Sequence, residues 1–127
     1  MLRVTCYLLL VMNDETNPPL TWEEFSKVEI HTGTIIEAAP NAKARVPAYV
    51  MKIDFGELGI KTSSAQITKN YGADELVGQQ VVAVTNFPAK RIAGIKSEVL
   101  VLGAVCADDD IVLLQPTLKV KNGLRIA

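Results

Sequence analysis

Histidine occurs once in this chain, at His31, and cysteine twice, at Cys6 and Cys106. Two distant cysteines fit neither a metal site nor a disulfide framework, and a lone histidine supplies no Cys/His cluster for zinc. It also leaves little scope for Ser-His-Asp chemistry. No nucleotide-binding glycine motif is present, and no apolar run approaches the ~20 residues of a membrane span. An enzyme is therefore not expected, and neither is a metal or a cofactor. Cys106 ends an apolar run and is expected to be a small core residue rather than a nucleophile. Asp108, Asp109 and Asp110 lack the spacing of a calcium loop and read as a solvated hairpin turn.

What is present fits one folded domain. The chain has 127 residues, 49% of them hydrophobic and 21% charged, which is ordinary for a globular unit. A net charge of −1 argues against coating nucleic acid by bulk charge. The distribution is more informative: residues 1–42 sum to −4, residues 43–96 to +4 and residues 97–127 to −1. The basic middle can present a local anion-binding patch, or balance out once the chain folds. MLRVTCYLLLVM, at the start, has one Arg and then a short apolar run, with no small-x-small cleavage site after it. Translation is expected to begin at Met12, with residues 1–11 an extension and a true export signal the rival. Residues 1–19 are set apart from a domain spanning 20–127.

Thr21-Trp22-Glu23-Glu24 has the pattern of a capping box, which predicts a short helix with Trp22 and Phe25 on one face. So short a helix needs to dock, either on its own core or at a subunit interface. Val28 to Ala38 alternates as a half-buried strand, with Gly33 marking a bulge or bend and His31 on the more polar, solvent-facing side. Ala48 to Phe55 is a second strand with Tyr49, Met51, Ile53 and Phe55 on one face. Ile60 to Ile67 is a third, whose Ser63, Ser64 and Gln66 can bond a ligand or face water. Asp74 to Gly78 reads as a one-turn helix, and Ile111 to Leu114 as a late strand. Leu118, Val120, Leu124 and Ile126 lie in a tail that packs on the domain or on a partner.

The centre of the chain is Gln79 to Gly103. Strands are expected at Val81 to Thr85 and Glu98 to Leu102, with NFPAKRIAGIKS between them as a loop. Phe87 and Ile92 beside Lys90 and Arg91 give that loop an apolar and a cationic face, so it is taken as the working surface. Five or six short strands with one small helix between the third and fourth predict an all-β OB-fold, a five-stranded Greek-key barrel.

FSKVEIHTGTIIEA, PAYVMKIDFGELGIKTSSAQIT, ELVGQQVVAVTNFPAKRIAGIKSEVLVLG and VLLQPTLKVKNGLRI resemble the CsaA family, over about Leu20 to Ile126. These are small export-related bacterial chaperones built on the tRNA-binding domain that is also appended to methionyl-tRNA synthetases. The resemblance implies an OB-fold, a homodimer joined through the N-terminal helix (Trp22, Phe25) and C-terminal segment, and no catalytic centre. It implies binding of unfolded or preprotein polypeptides in the cytoplasm, with tRNA the alternative partner. As a peptide binder the chain would use Tyr49, Phe87, Lys90, Arg91 and Ile92. As a tRNA binder it would use Lys43, Arg45, Lys61, Asn86, Lys90, Arg91, Lys96 and Ser97. Two departures from the tRNA-binding relatives weaken tRNA recognition. His31-Thr32-Gly33 replaces an Arg-Val-Gly pattern, and Glu98 and Val99 stand within a Ser-x-Gly-Met pattern.

Overall fold

A computed structural model describes residues 18–108 and 110–127. The expectations for residues 1–11 and for Cys6 lie outside the described residues. Helix α1 (Trp22–Ser26) precedes strands β1 (Ile30–Pro40), β2 (Tyr49–Asp54) and β3 (Ile60–Ala65). Helix α2 (Ala73–Leu76) follows, then β4 (Gln80–Val84), β5 (Lys90–Ile92), β6 (Ile95–Ser97), β7 (Leu100–Val101), β8 (Gly103–Ala107) and β9 (Asp110–Leu113).

One sheet runs β3-β2-β1-β4-β7, and its β1–β2, β1–β4, β2–β3 and β4–β7 pairs are all antiparallel. Its two edges meet through residues 97–99. The Glu98 amide donates to the Thr62 carbonyl at 2.8 Å, and the Ser63 hydroxyl donates to the Val99 carbonyl at 3.2 Å. The result is a nearly closed five-stranded barrel of the OB type, with α2 between the third and fourth strands.

Closure depends on β1 serving two neighbours. Its first half pairs with β4 and its second half with β2, and the register shifts between Ile35 and Glu37. The extra residue, Ile36, is turned outward, and so is Glu37, which reaches Lys52 across the ladder at 3.9 Å. A bulge of this kind bends a strand and flips its inward set. It lies beyond Gly33, where the sequence placed it. Gly33 has a different task, because a Cβ there would stand 2.7 Å from Ile53 and from the Phe55 ring.

Ile35, Met51, Ile53, Phe55, Leu76, Val81 and Ala83 are fully buried and fill the barrel. Removing each large side chain from water is worth roughly 1.5–3 kcal/mol. Tyr49, Met51 and Ile53 share the inward face of β2 and Phe55, just past its end, continues the set, as their alternation predicts.

Two burial expectations are overturned. His31 is buried, with Nδ1 2.8 Å from Thr85 Oγ1. The reason is the tail, which folds back along β1 as a strap. Thr32 donates its amide to the Leu124 carbonyl, Gly123 donates to the Thr32 carbonyl and Ile126 to the Ile30 carbonyl, all within 3.0 Å. Gln80 completes the seal, its Nε2 donating to the Val120 carbonyl at 2.7 Å and its Oε1 accepting from the Val120 amide at 3.0 Å. Cys106, in contrast, is exposed, because β8 and β9 form a separate hairpin whose Ala104, Val105 and Cys106 do not enter the core.

Candidate binding site

The stretch 86–97, expected as a loop, is a second β-ribbon. β5 and β6 pair Lys90 with Ser97, Arg91 with Lys96 and Ile92 with Ile95. Ala93 and Gly94 make the two-residue turn with φ of 48° and 82°. Positive φ at both central residues matches the tightest hairpin turns. Asn-Gly is the favoured pair there and Ala-Gly is not, so the turn carries only a weak local signal.

Pairing sorts the side chains by face. Lys90, Ile92, Ile95 and Ser97 lie on one side of the ribbon, and Arg91 and Lys96 oppose each other on the other. Two like charges directly across a ladder repel, and an anion between them relieves the repulsion. The ribbon is fixed to the barrel through Ser97, whose Oγ accepts from the Ser64 amide at 3.3 Å.

Two hollows flank it. The first, of about 500 Å³, is walled by Phe87, Pro88, Ala89, Ile92, Val99 and Leu100, with Ser64, Lys90, Ser97 and Glu98 among them. Phe87 is 55% exposed, an unusual state for a large aromatic side chain. The second, of about 510 Å³, gathers Lys43, Arg45, Lys90 and Arg91 with Ala44, Val46, Ala48, Ser64, Gln66, Ile92 and Ala93. Ser64, Lys90 and Ile92 belong to both. Among the described residues, none of these four cations comes within ion-pair distance of a carboxylate. Glu98 is the acid nearest the ribbon, and its Oε1 accepts from the Thr62 amide at 3.1 Å. Its carboxylate thus helps to close the barrel. Val99 is 5% exposed and joins the core.

The structure brings together most of the residues singled out from sequence and leaves four, Tyr49, Lys61, Asn86 and Lys96, outside both hollows. Phe87, Lys90 and Ile92 line the apolar hollow, with Ser97 beside them, and Lys43, Arg45 and Arg91 line the cationic one. Tyr49 lies elsewhere: it is buried in the core and donates its hydroxyl proton to the Tyr71 carbonyl at 2.7 Å. Lys61 pairs with Ile53, on the opposite side of β3 from Ser64, and lines neither hollow. Asn86 accepts from the Glu29 amide at 3.0 Å and donates to the Lys27 carbonyl at 2.6 Å. Its amide is therefore occupied in bracing the segment after α1, one residue before Phe87. Lys96 stays exposed on the outer face of the ribbon. Pro88 and Ala89 were missed, since apolar residues at a proline carry no periodic signal, and Leu100 was read only as part of a strand.

A third, shallow hollow lies on α1, formed by Leu20, Thr21, Trp22 and Phe25. The capping box is made, with the Glu24 amide donating to Thr21 Oγ1 at 3.1 Å and the Thr21 amide to Glu24 Oε1 at 3.0 Å. No α1 residue is buried, and Trp22 is 86% exposed against the edge of Phe25, ring centroids 6.4 Å apart. The helix does not dock on its own core.

Chemically, the two hollows can hold an apolar group and an anion side by side. The only histidine lies under the strap with Thr85, away from both serines of the hollows.

Comparison with known proteins agrees with the fold. The family described as a putative tRNA binding domain matches residues 30–125. A crystal structure of the chaperone CsaA from Bacillus anthracis str. Ames is 53% identical, with a TM-score of 0.83, and spans 87% of this chain and 100% of that one. The CsaA chaperone protein from Picrophilus torridus is 47% identical, with a TM-score of 0.80, over 86% of this chain and 100% of that one. A methionine–tRNA ligase from Porphyromonas gingivalis is 35% identical over 107 residues, which is 84% of this chain and 15% of the ligase. The chain therefore spans only about 15% of the length of such curated relatives.

Proposed function

This chain belongs to the tRNA-binding domain family, within its CsaA members, and from that premise we propose that it is a cofactor-free chaperone that binds unfolded polypeptides. The observation that carries the reading is the apolar hollow beside the ribbon, with Phe87 exposed at its wall and Lys90 at its rim. A hollow of this size accepts one large apolar side chain, and contiguous exposed apolar surface of this kind marks an interaction site. The clients are preproteins held before export, the compartment is the cytoplasm, and no reaction is catalysed. Two chains act as a homodimer through α1, none of whose residues is buried among the described residues. Two sites on one particle raise affinity through effective concentration, without nucleotide hydrolysis.

The test is fluorescence anisotropy of a labelled, permanently unfolded protein. Binding that persists from ~50 to ~200 mM salt supports the reading, because an apolar anchor is insensitive to screening. Absence of binding removes it. Light scattering on the same sample reports the dimer, and Trp22→Ser is expected to give monomers.

A second reading, tRNA binding, is favoured by the cation cluster of Lys43, Arg45, Lys90 and Arg91 and by the family's description. That reading requires affinity for bulk tRNA to fall by orders of magnitude between ~50 and ~200 mM salt. Salt-insensitive binding, or none, eliminates it.

A further inference from the structure

The two hollows share a wall, and that junction has a consequence for which polypeptides fit. We infer that the preferred client segment carries an acidic side chain about two residues from its large apolar anchor. This rests on the polypeptide-binding reading and narrows it.

The argument is charge complementarity across one surface. The apolar hollow offers Phe87, Pro88 and Leu100 to an anchor. The neighbouring hollow offers Lys43, Arg45 and Arg91, and Lys90 stands in both. None of these cations has a carboxylate partner among the described residues. Arg91 faces Lys96 across the ribbon, so like charges are already crowded there. The Arg91 guanidinium reaches only the Gly94 carbonyl, at 3.4 Å. The Lys43 chain lies against the turn, with Cδ 3.2 Å from where a Gly94 Cβ would stand. Glu98, which could have neutralised the group, accepts from the Thr62 amide instead. A net positive recess beside an apolar one selects a client with the reverse pattern and repels one with lysine at that position.

Spacing follows from extended geometry. In an extended segment, residues i and i+2 point to the same side, roughly 6–7 Å apart. An anchor in the apolar hollow therefore presents its i+2 side chain to the same surface, toward the cations, and its i+1 side chain away from it.

The experiment uses three labelled peptides of equal length with one phenylalanine anchor. They carry Asp, Ser or Lys at the positions two residues either side. Dissociation constants are measured by anisotropy at ~50 and ~500 mM salt. The Asp peptide is expected to bind about tenfold more tightly than the Lys peptide at low salt, as partly exposed charge pairs allow. The ratio should shrink towards one at high salt. Moving Asp to i+1 should lose most of the advantage, and Arg45→Gln with Arg91→Gln should bring the ratio to within about twofold. Equal affinity for all three peptides, or tighter binding of the Lys peptide, overturns the inference while leaving polypeptide binding intact. If no peptide binds and RNA does, the polypeptide reading fails and the inference fails with it.

Discussion

On the flank formed by β1 and β4, buried polar side chains are matched one by one with backbone from the strap. Thr32 Oγ1 donates to the Lys121 carbonyl at 2.8 Å and accepts from the Leu124 amide at 3.0 Å, and Gln80 holds both ends of Val120. On the flank formed by β3 and the ribbon, four cations and an exposed phenylalanine have no such cover among the described residues. Both flanks carry hydrogen-bonding or charged groups, yet the described residues complete only the first. Polarity alone does not mark a site. What separates the flanks is whether each group's partner is found within the molecule, which is why buried polar groups on the first are structural.

Exchanging the roles of the two flanks would break this contrast. Gln80→Leu removes the partner of the Val120 amide and carbonyl, and should cost about 2–3 kcal/mol of stability in urea unfolding. Phe87→Ser, on the open flank, should change stability by less than about 0.5 kcal/mol, as surface substitutions do. The same variant should weaken binding of an unfolded polypeptide about tenfold, read by anisotropy, since anchor residues dominate such interfaces. If Phe87→Ser destabilised the fold as much as Gln80→Leu, the flanks would not differ in kind. Arg45→Gln sharpens the contrast further: if RNA is bound, the slope of log affinity against log salt should fall by about one. The smallest effect concerns the ribbon's own turn. Ala93→Asn places a residue that tolerates positive φ before Gly94, and should stabilise by about 0.5 kcal/mol with binding unaltered.

Much of the barrel was legible because its signals are local. The alternation of Tyr49, Met51, Ile53 and Phe55 needs only a two-residue period, and the Thr21–Glu24 box only a four-residue window. Two of the misreadings involve partners distant in sequence. His31 looked solvent-facing because the strap that buries it lies some ninety residues later in the sequence, as the Thr32–Leu124 separation of 92 indicates. Gly33 looked like a bulge because nothing nearby predicts that the Phe55 ring occupies its Cβ position. Cys106 looked like core because an apolar run does not reveal which strand of its hairpin faces the core: Ile111 and Leu113 of β9 pack there, and Cys106 of β8 does not. In the candidate site, Phe87, Lys90, Arg91 and Ile92 were singled out from composition, and each lines one or both hollows. Tyr49 was misplaced because an aromatic on an alternating strand serves a core and a hollow equally well on paper.

The strap also sets an order of events. The Thr32 amide and the Ile30 and Thr32 carbonyls of the first strand are met by residues 123–126, which are synthesised some ninety residues later. A growing chain can lay down β1, β2 and β3 as a meander. It cannot satisfy Thr32 or Gln80 until the ribosome has delivered the strap, so maturation of this barrel is paced by its slowest, most long-range closure.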